Sequence, residues 1–395
     1  MTIYHRLSRA VNALFLWTGN PALAEHPVPA AMLSAARYVD DTLIIAAAGW
    51  GLAAKQRFFS LLDFCGLTVS EKKDRKEGAV TSAWRIFLGV VIDITNEELR
   101  VPEERVADGL VRLRAAIAER YLARKECESL VGILNHAAAC IPFSRLFLRR
   151  VWSALAFQHG PWVRLNRGIK ADLQFWLRLL RESNGRAIMH EDIWRSAEEI
   201  GLYTDASFSG YAAVYLRPDG SAEYFAGSWE QHGFSAEALK TAGVHISELE
   251  LLVVALAVDR WASVLPQGKF KLRCDNSSSC DALNEGRISD VGMLICLREI
   301  FHCAASNGFE AGASHIGTKE NVLADAGSRG AWARFFEFAL SEFGLAEEDF
   351  TRVQSSLSVT TMLAKIVAAR VNFIAAVSER AARPAPRSRR RRRFG

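Results

Sequence analysis

The segment Gly201-Leu202-Tyr203-Thr204-Asp205-Ala206-Ser207-Phe208-Ser209-Gly210 marks a change of pattern in this chain of 395 residues. Before it, apolar residues recur at helical spacing over residues 103–182. After it, short apolar and β-branched runs alternate with turn residues, which predicts strands. The first of these predicted strands ends on an acid, Asp205.

The order of elements after Gly201 predicts a mixed α/β domain. Three strands come first and predict an antiparallel meander, after which strands and helices alternate, as in parallel sheets covered by helices. The predicted strands are residues 202–205, 210–216, 223–228, 270–275 and 309–315. The sequence therefore predicts a mixed five-stranded sheet with flanking helices over residues 199–330.

Four acids of this domain occupy positions that suit a metal site. They lie at strand ends, at a helix start, or in the first turn of a long predicted helix: Asp205, Glu250, Asp275 and Asp325. Acids that converge from separate elements repel each other unless cations lie between them, and two Mg²⁺ or Mn²⁺ ions about 4 Å apart would use such a set. Taken singly, each acid also fits an ordinary role as a helix cap or a partner of the helix dipole.

The motifs around these acids resemble the ribonuclease H domain of reverse transcriptases, most closely that of LTR-type or DIRS-like (tyrosine-recombinase) retrotransposons. The resemblance rests on Tyr-Thr-Asp205-Ala-Ser, on residues 245–251, on Asp275-Asn276-Ser277 and on residues 315–329. It implies that the four acids bind metal for cleavage of RNA in an RNA–DNA hybrid. It also implies nucleic-acid contacts at Asn276, Ser277 and Asn321. Glu248 remains an alternative to Glu250, and His315 is expected to be structural.

A second motif, Tyr38-Val39-Asp40-Asp41, lies between β-favouring runs and predicts a hairpin with acids at its tip. It resembles the polymerase palm motif of reverse transcriptases. The resemblance implies metal binding by Asp40 and Asp41 and a primer–template contact at Tyr38. Phe87-Leu88-Gly89 resembles the primer-grip hairpin, and Lys72 or Lys73 stands where the family has a lysine near the incoming triphosphate. An isolated motif of this kind would be a polar turn, but the family elements downstream at suitable distances favour the palm.

The palm of this chain lacks a residue that polymerisation requires. Two-metal phosphoryl transfer needs a further aspartate on a neighbouring strand, but no Asp precedes Asp40 and Glu25 is the only acid there. We therefore expect a partial, N-terminally truncated palm over residues 1–100, which makes RNA-directed DNA polymerase activity of the chain alone doubtful. A second chain that supplies the missing palm and fingers is one alternative.

Residues 101–198 predict a helical connector similar to the thumb and connection of the same family. From Arg105 to Arg178 there are thirteen Lys and Arg residues against five Asp and Glu residues. Such a stretch suits a phosphate backbone, although solvated helix faces would explain it as well. The resemblance implies nucleic-acid contacts at Arg145, Arg149 and Arg150.

The end of the chain and its composition bound the environment of the protein. The sequence predicts a helical extension over residues 331–380 and a disordered tail over residues 381–395. The seven arginines of the tail could bind phosphates, act as a nuclear import signal, or have no role. Seven cysteines without paired spacing favour a reducing compartment over disulfides or zinc. No apolar run reaches the ~20 residues of a membrane span. We expect an intracellular protein, either nuclear or cytoplasmic.

Together these features predict a retroelement-derived ribonuclease H-type endonuclease that requires Mg²⁺ or Mn²⁺ and takes RNA–DNA hybrids or primer–template as partners, without a membrane partner. The alternative is a non-catalytic nucleic-acid-binding remnant, or a domesticated retroelement protein, in which the fold has outlived the chemistry. The presence of all four acids favours the enzyme.

Overall fold

The computed structural model describes residues 33–38, 41–65, 83–141, 143–183, 186–188, 193–217, 219–286, 288, 290–317 and 319–381. The chain divides into two compact units, Met1–Pro102 and Glu103–Gly395. Predictions for Asp40, Lys72, Lys73 and the Arg-rich tail lie outside the described residues. Within the described residues, no helix combines the length and the apolar character needed to cross a bilayer.

The first unit contains the predicted hairpin around the Tyr-Val-Asp-Asp motif. Its strands pair antiparallel, and the register runs from Leu33 with Ala46 to Tyr38 with Asp41. A helix follows, and then an antiparallel meander of three short strands. The elements of this unit are β1 (Leu33–Tyr38), β2 (Asp41–Ala46), α1 (Gly51–Phe64), β3 (Trp84–Phe87), β4 (Val90–Asp93) and β5 (Glu98–Arg100).

The β3–β4 hairpin is closed by the two residues Leu88 and Gly89. Both have positive φ, 50° and 77°. Two consecutive left-handed residues form the type I′ turn, whose twist matches that of the flanking strands. The segment that resembles a primer grip is thus a tight hairpin.

The second unit begins with helices around an apolar core in which Leu113, Leu134, Phe147 and Trp176 are fully buried. The predicted helices are present, and the structure adds a ribbon of two short antiparallel strands, β6 and β7, that the sequence did not predict. The elements are α2 (Glu103–Ala118), β6 (Tyr121–Ala123), α3 (Arg124–Ala137), a 3₁₀ turn (Ser144–Leu148), α4 (Arg149–Phe157), β7 (Trp162–Arg164), α5 (Arg167–Ser183) and β8 (Arg186–Ile188).

A mixed sheet follows, and it confirms the predicted mixed α/β fold class. The five predicted strands are present in the order β14-β13-β10-β11-β12, and the sheet gains β15 beside β12 and β9 beside β13. The meander β10-β11-β12 is antiparallel, and the other pairings are parallel. The strands are β9 (Trp194–Arg195), β10 (Leu202–Ala206), β11 (Gly210–Leu216), β12 (Ala222–Ser228), β13 (Gly268–Cys274), β14 (Phe309–His315) and β15 (Phe350–Arg352).

Helix α8 is the central helix of this domain. Its residues Glu248 to Val258 are all buried, because the sheet covers one side and α10 the other. An apolar surface all round is the pattern of a buried helix. The helices are α6 (Ala197–Ile200), α7 (Ala236–Thr241), α8 (Ile246–Trp261), α9 (Ser277–Glu285), α10 (Val291–Asn307), α11 (Val322–Ser328), α12 (Trp332–Phe343) and α13 (Val359–Ala381).

The segment after residue 330 packs as part of the same domain. Phe335 and Ala339 of α12 are fully buried in one core cluster with Tyr203 and Val214 of the sheet. Strand β15 adds to the sheet edge, and α13 packs on α10 and α8. The predicted helical extension is therefore helical, but it also contributes a strand.

Candidate metal centre

Three of the four predicted acids meet at one edge of the sheet. Tyr203 of β10 pairs with Arg273 of the parallel strand β13, so Asp205 and Asp275, each two residues further on, lie side by side. Helix α8 packs on β10 and brings Glu250 to the same place. One carboxylate oxygen from each acid lies within 4.8 Å of the others.

Two of these acids are buried and Asp275 is half-buried, and their carboxylates are not fully hydrogen-bonded. Asp205 is 4% exposed and Glu250 is 7% exposed. Oε2 of Glu250 and Oδ1 of Asp275 have no hydrogen-bond partner among the described residues. A buried, unpartnered carboxylate oxygen is costly. A hard divalent cation would satisfy it, because Mg²⁺ prefers oxygen ligands at about 2.1 Å, and the donor set therefore fits such an ion.

Burial raises the pKa of all three acids, and the charges of neighbouring acids add to the shift. Burial first, and then the charges of Asp205 and Asp275, raise the pKa of Glu250 to about 9. Burial raises the pKa of Asp205 to about 6, although a hydrogen bond from Ser328 opposes the shift. Burial also raises the pKa of Asp275, and the charge of Asp325 adds to it. A bound cation would favour the ionised form of each.

The fourth predicted acid, Asp325, lies close to this cluster but has other partners. Its Oδ1 accepts a hydrogen bond from Nε of Arg329 at 2.7 Å, and its Oδ2 accepts one from Arg334 at 3.1 Å. It is not one of the three acids whose oxygens lie within 4.8 Å of one another. In this structure Asp325 is neutralised by two arginines.

Glu248, the alternative to Glu250, has a structural position. Its Oε2 accepts the backbone N–H of His245 at 2.8 Å, which forms a capping box at the start of α8. Both of its oxygens also accept from Nε of Arg370 in α13, at 2.9 and 3.0 Å. Glu250, by contrast, faces the two aspartates, so the geometry favours it as the metal ligand.

Helix α11 carries the residues that hold Asp205 in place. The Ser328 hydroxyl donates to Oδ2 of Asp205. A side chain at Gly327 would meet Ala212 of β11, so glycine allows the helix to lie directly against the sheet. The sequence analysis included residues 315–329 in a motif but predicted no role for Ser328 or Arg329. It also gave no sign that Arg334 or Arg370 would pair with acids at or near the site.

The predicted nucleic-acid residues of this domain are placed in three ways. Ser277 is exposed. Asn276 caps α9, because its side chain accepts the N–H of Ser279 at 2.9 Å. The predicted nucleic-acid contact at Asn321 must be corrected. Asn321 is fully buried, and its side chain donates to the Thr204 carbonyl at 3.0 Å. It therefore holds α11 against β10 and cannot reach nucleic acid.

The predicted contacts of the helical connector differ in their exposure. Arg145 and Arg149 are exposed. Arg150 instead pairs with the buried Asp172, 3.3 Å away, and Asp172 also pairs with Arg298 of α10. Arg150 therefore belongs to an internal ion-pair network.

The described residues of the predicted palm motif lie in the first unit. Tyr38 ends β1 and Asp41 begins β2. Asp40, Lys72 and Lys73 are outside the described residues, so their predicted roles remain predictions.

Comparisons with known proteins give limited similarity. No family model matches the sequence, and no curated protein matches it. Two solved structures similar to part of the chain are those of the foamy viral protease-reverse transcriptase dRH with double-stranded DNA and the foamy viral protease-reverse transcriptase with an RNA/DNA hybrid. The first is 14% identical with a TM-score of 0.35 and covers 79% of this chain and 49% of that one. The second is 16% identical with a TM-score of 0.32 and covers 71% and 35%. The chain thus spans half or less of each.

Proposed function

We propose that this chain is a retroelement-derived ribonuclease H-type endonuclease that hydrolyses the RNA strand of RNA–DNA hybrids with Mg²⁺ or Mn²⁺. The observation that carries the proposal is the convergence of Asp205, Glu250 and Asp275 from three separate elements, with buried oxygens that lack partners. A fold seldom brings three acids together, two of them buried and one half-buried, unless they serve a function, since each costs stability.

The residues of the site would bind and orient the reacting groups. A divalent cation held by the carboxylates would lower the pKa of an attacking water and neutralise charge on the phosphate. The water oxygen bonds to phosphorus, the bond from phosphorus to the 3′ oxygen breaks, and the products are a 3′-hydroxyl and a 5′-phosphate. Ser328 fixes the Asp205 carboxylate, and the capping box keeps the first turn of α8, which carries Glu250, in place.

Asp325 is the fourth acid of the proposed set, and its two arginines are part of the mechanism we infer. The side chains of Arg329 and Arg334 are 57% and 55% exposed. A phosphodiester arriving at the site offers these guanidinium groups an alternative anionic partner. Substrate would then release Asp325 toward the metal.

Within this proposal Tyr38, Lys72 and Lys73 stay as nucleic-acid contacts, and Asp40 and Asp41 stay as metal ligands of the palm motif. Polymerisation would require a further acid from another chain. The exposed Arg145, Arg149 and Ser277 are the remaining proposed contacts of the hybrid. The Arg-rich tail favours a nuclear location.

The test is cleavage of an end-labelled RNA–DNA hybrid by the full chain with Mg²⁺, with EDTA, and with the variant Asp275→Asn. Asp281→Asn is a matched control, because Asp281 is an exposed acid of α9. We expect Mg²⁺-dependent cutting by the wild type and the control, and a loss of at least ~100-fold in Asp275→Asn.

Two outcomes would contradict the proposal. Cleavage that survives in Asp275→Asn would show that the three carboxylates are not the catalytic centre. Binding of the hybrid without cleavage by the wild type, in Mg²⁺ and in Mn²⁺, would replace the enzyme with the non-catalytic binding protein.

A further inference from the structure

The ribbon formed by β6 and β7 presents aromatic rings and cations on one face. In its register Tyr121 pairs with Arg164, and Ala123 pairs with Trp162. Paired residues of an antiparallel ribbon, and residues two apart on one strand, point to the same side. Tyr121, Trp162 and Arg164 therefore share a face.

This face is the outer one. Leu122 and Val163, which alternate with these residues, are 9% and 0% exposed and pack into the core. Tyr121 is 46% exposed and Trp162 is 60% exposed. The guanidinium carbon of Arg120 lies 5.8 Å from the centre of the Tyr121 ring, so a second cation flanks the rings.

The ribbon is held rigidly by the chain around it. Arg124 donates to the carbonyls of Leu155, Gln158 and Gly160, which fixes the turn before β7. The Gln158 side chain accepts the N–H of Arg164 at 2.7 Å. Outward-facing rings on a fixed frame lose little conformational freedom on binding.

The ribbon segments themselves carry positive charge, although Glu119 and Glu126 flank the first of them and Asp172 the second. The two segments of the ribbon, residues 120–125 and 158–171, contain Arg and Lys residues and no Asp or Glu. Flat rings interleaved with guanidinium groups are what an unpaired nucleic-acid strand requires, because bases stack on aromatic rings and phosphates pair with cations. A paired duplex hides the faces of its bases and would leave the rings unused.

We propose that the face formed by Arg120, Tyr121, Trp162 and Arg164, here called the stacking face, binds an unpaired nucleic-acid strand. The rings stack on bases, and the guanidinium groups hold the phosphates. These residues are separate from the carboxylates of the metal centre, so the inference stands independently of the proposed hydrolysis.

Binding of a fluorescent oligothymidylate by the full chain, in EDTA and low salt, tests this proposal without any cleavage. We expect Trp162→Ala and Tyr121→Ala each to weaken binding roughly 10-fold, and Trp162→Phe to retain most of the affinity. Phe373→Ala is the control, because Phe373 is an aromatic residue of α13 with 47% exposure. Arg164→Gln should reduce the slope of the logarithm of the binding constant against the logarithm of the salt concentration by about 0.7, because one phosphate contact is lost.

The proposal is overturned if both alanine variants, folded as judged by an unchanged unfolding midpoint, bind the oligonucleotide as the wild type does. It is equally overturned if Phe373→Ala loses as much affinity as they do. If the variants keep this affinity but lose self-association in sedimentation or binding to anionic vesicles, the face contacts protein or lipid instead. Failure of Asp275→Asn to affect hybrid cleavage would leave this measurement untouched.

Discussion

At the scale of single residues, the three clustered carboxylates destabilise the folded state when no cation is bound. Asp205 lies within 4.8 Å of Glu250 and Asp275 through their oxygens, and two of the three acids are almost completely buried. Like charges in a buried site destabilise each other unless one is neutralised. On the proposed function, the site would trade stability for metal affinity, as functional sites often do.

The substitution Asp205→Asn should separate these two effects. Asparagine keeps an oxygen that accepts from Ser328 but removes one negative charge. We expect the metal-free variant to be at least as stable as the wild type. Millimolar Mn²⁺ should raise the unfolding midpoint of the wild type by roughly 2–4 °C or more, and should not raise that of the variant. Thermal unfolding measured with and without the ion, beside Asp281→Asn, checks this, and an equal shift in Asp205→Asn would argue against metal binding at this cluster.

A second prediction concerns the arginines on Asp325. Replacing Arg329 and Arg334 together with methionine should free the Asp325 carboxylate, which they now neutralise. Because both side chains are more than half exposed, the gain should be modest, about 2- to 5-fold tighter Mn²⁺ binding. Calorimetry without nucleic acid measures it directly. Weaker ion binding in the double variant would mean that Asp325 takes no part in the metal site.

At the scale of elements, α13 fixes the start of α8 through one buried arginine. Arg370 is 6% exposed, and it contacts Glu248, which is fully buried, together with Asp290 at the start of α10. A side chain at Gly292 would overlap the Glu248 carboxylate, so these groups are closely packed. Glu250 lies two residues after Glu248, and α13 thereby supports the metal centre from outside it.

Arg370→Met should therefore be strongly destabilising. Removal of one partner of a buried ion pair leaves uncompensated charge and costs about 3–5 kcal/mol. Denaturant unfolding measures the loss, with Lys365→Met as the control, because Lys365 is exposed on the same helix. Adding Glu248→Gln to Arg370→Met should restore part of the stability. If Arg370→Met costs no more than Lys365→Met, the pair does not hold α13 in place.

A pH-dependent prediction belongs to the interface between α5 and α10. Burial, and then the charge of Arg178, lower the pKa of His302, although Glu182 opposes the shift. Because the folded pKa lies below the unfolded value of about 6.5, the unfolded state binds more protons. The contribution of His302 is therefore present above that value and is lost as the pH falls through the folded pKa.

The variant His302→Gln should accordingly lose stability less steeply on acidification than the wild type does. Unfolding free energies measured from roughly pH 7 to pH 5 provide the comparison. His159→Gln, at an exposed histidine, should keep the wild-type slope. Identical slopes in all three proteins would mean that His302 titrates as it does in the unfolded chain.

At the scale of the whole molecule, local patterns in the sequence predicted more than contacts between distant segments. Short apolar and β-branched runs between turn residues predicted the five main strands. Acids at two strand ends and in the first turn of a helix predicted the three carboxylates that meet. Strands β6, β7 and β15 have three residues each, which is too few for a periodicity to show. The burial of Asn321 and the pairing of Asp325 with Arg334 depend on tertiary packing, which no nearby residue signals.

The position of the domain end is the clearest case, and it yields the last prediction. The sequence placed the end of the nuclease-like domain at residue 330, but β15 adds to its sheet and Phe335 lies in its core. Met362, Leu363 and Ile366 of α13 are also buried. A chain ending at residue 381 should therefore unfold cooperatively with the wild-type midpoint, whereas one ending at residue 330 should lose cooperative unfolding and bind no Mn²⁺. Circular dichroism during heating compares the two, and cooperative unfolding of the shorter chain at the same midpoint would restore residue 330 as the boundary and make α12 to α13 a separate appendage.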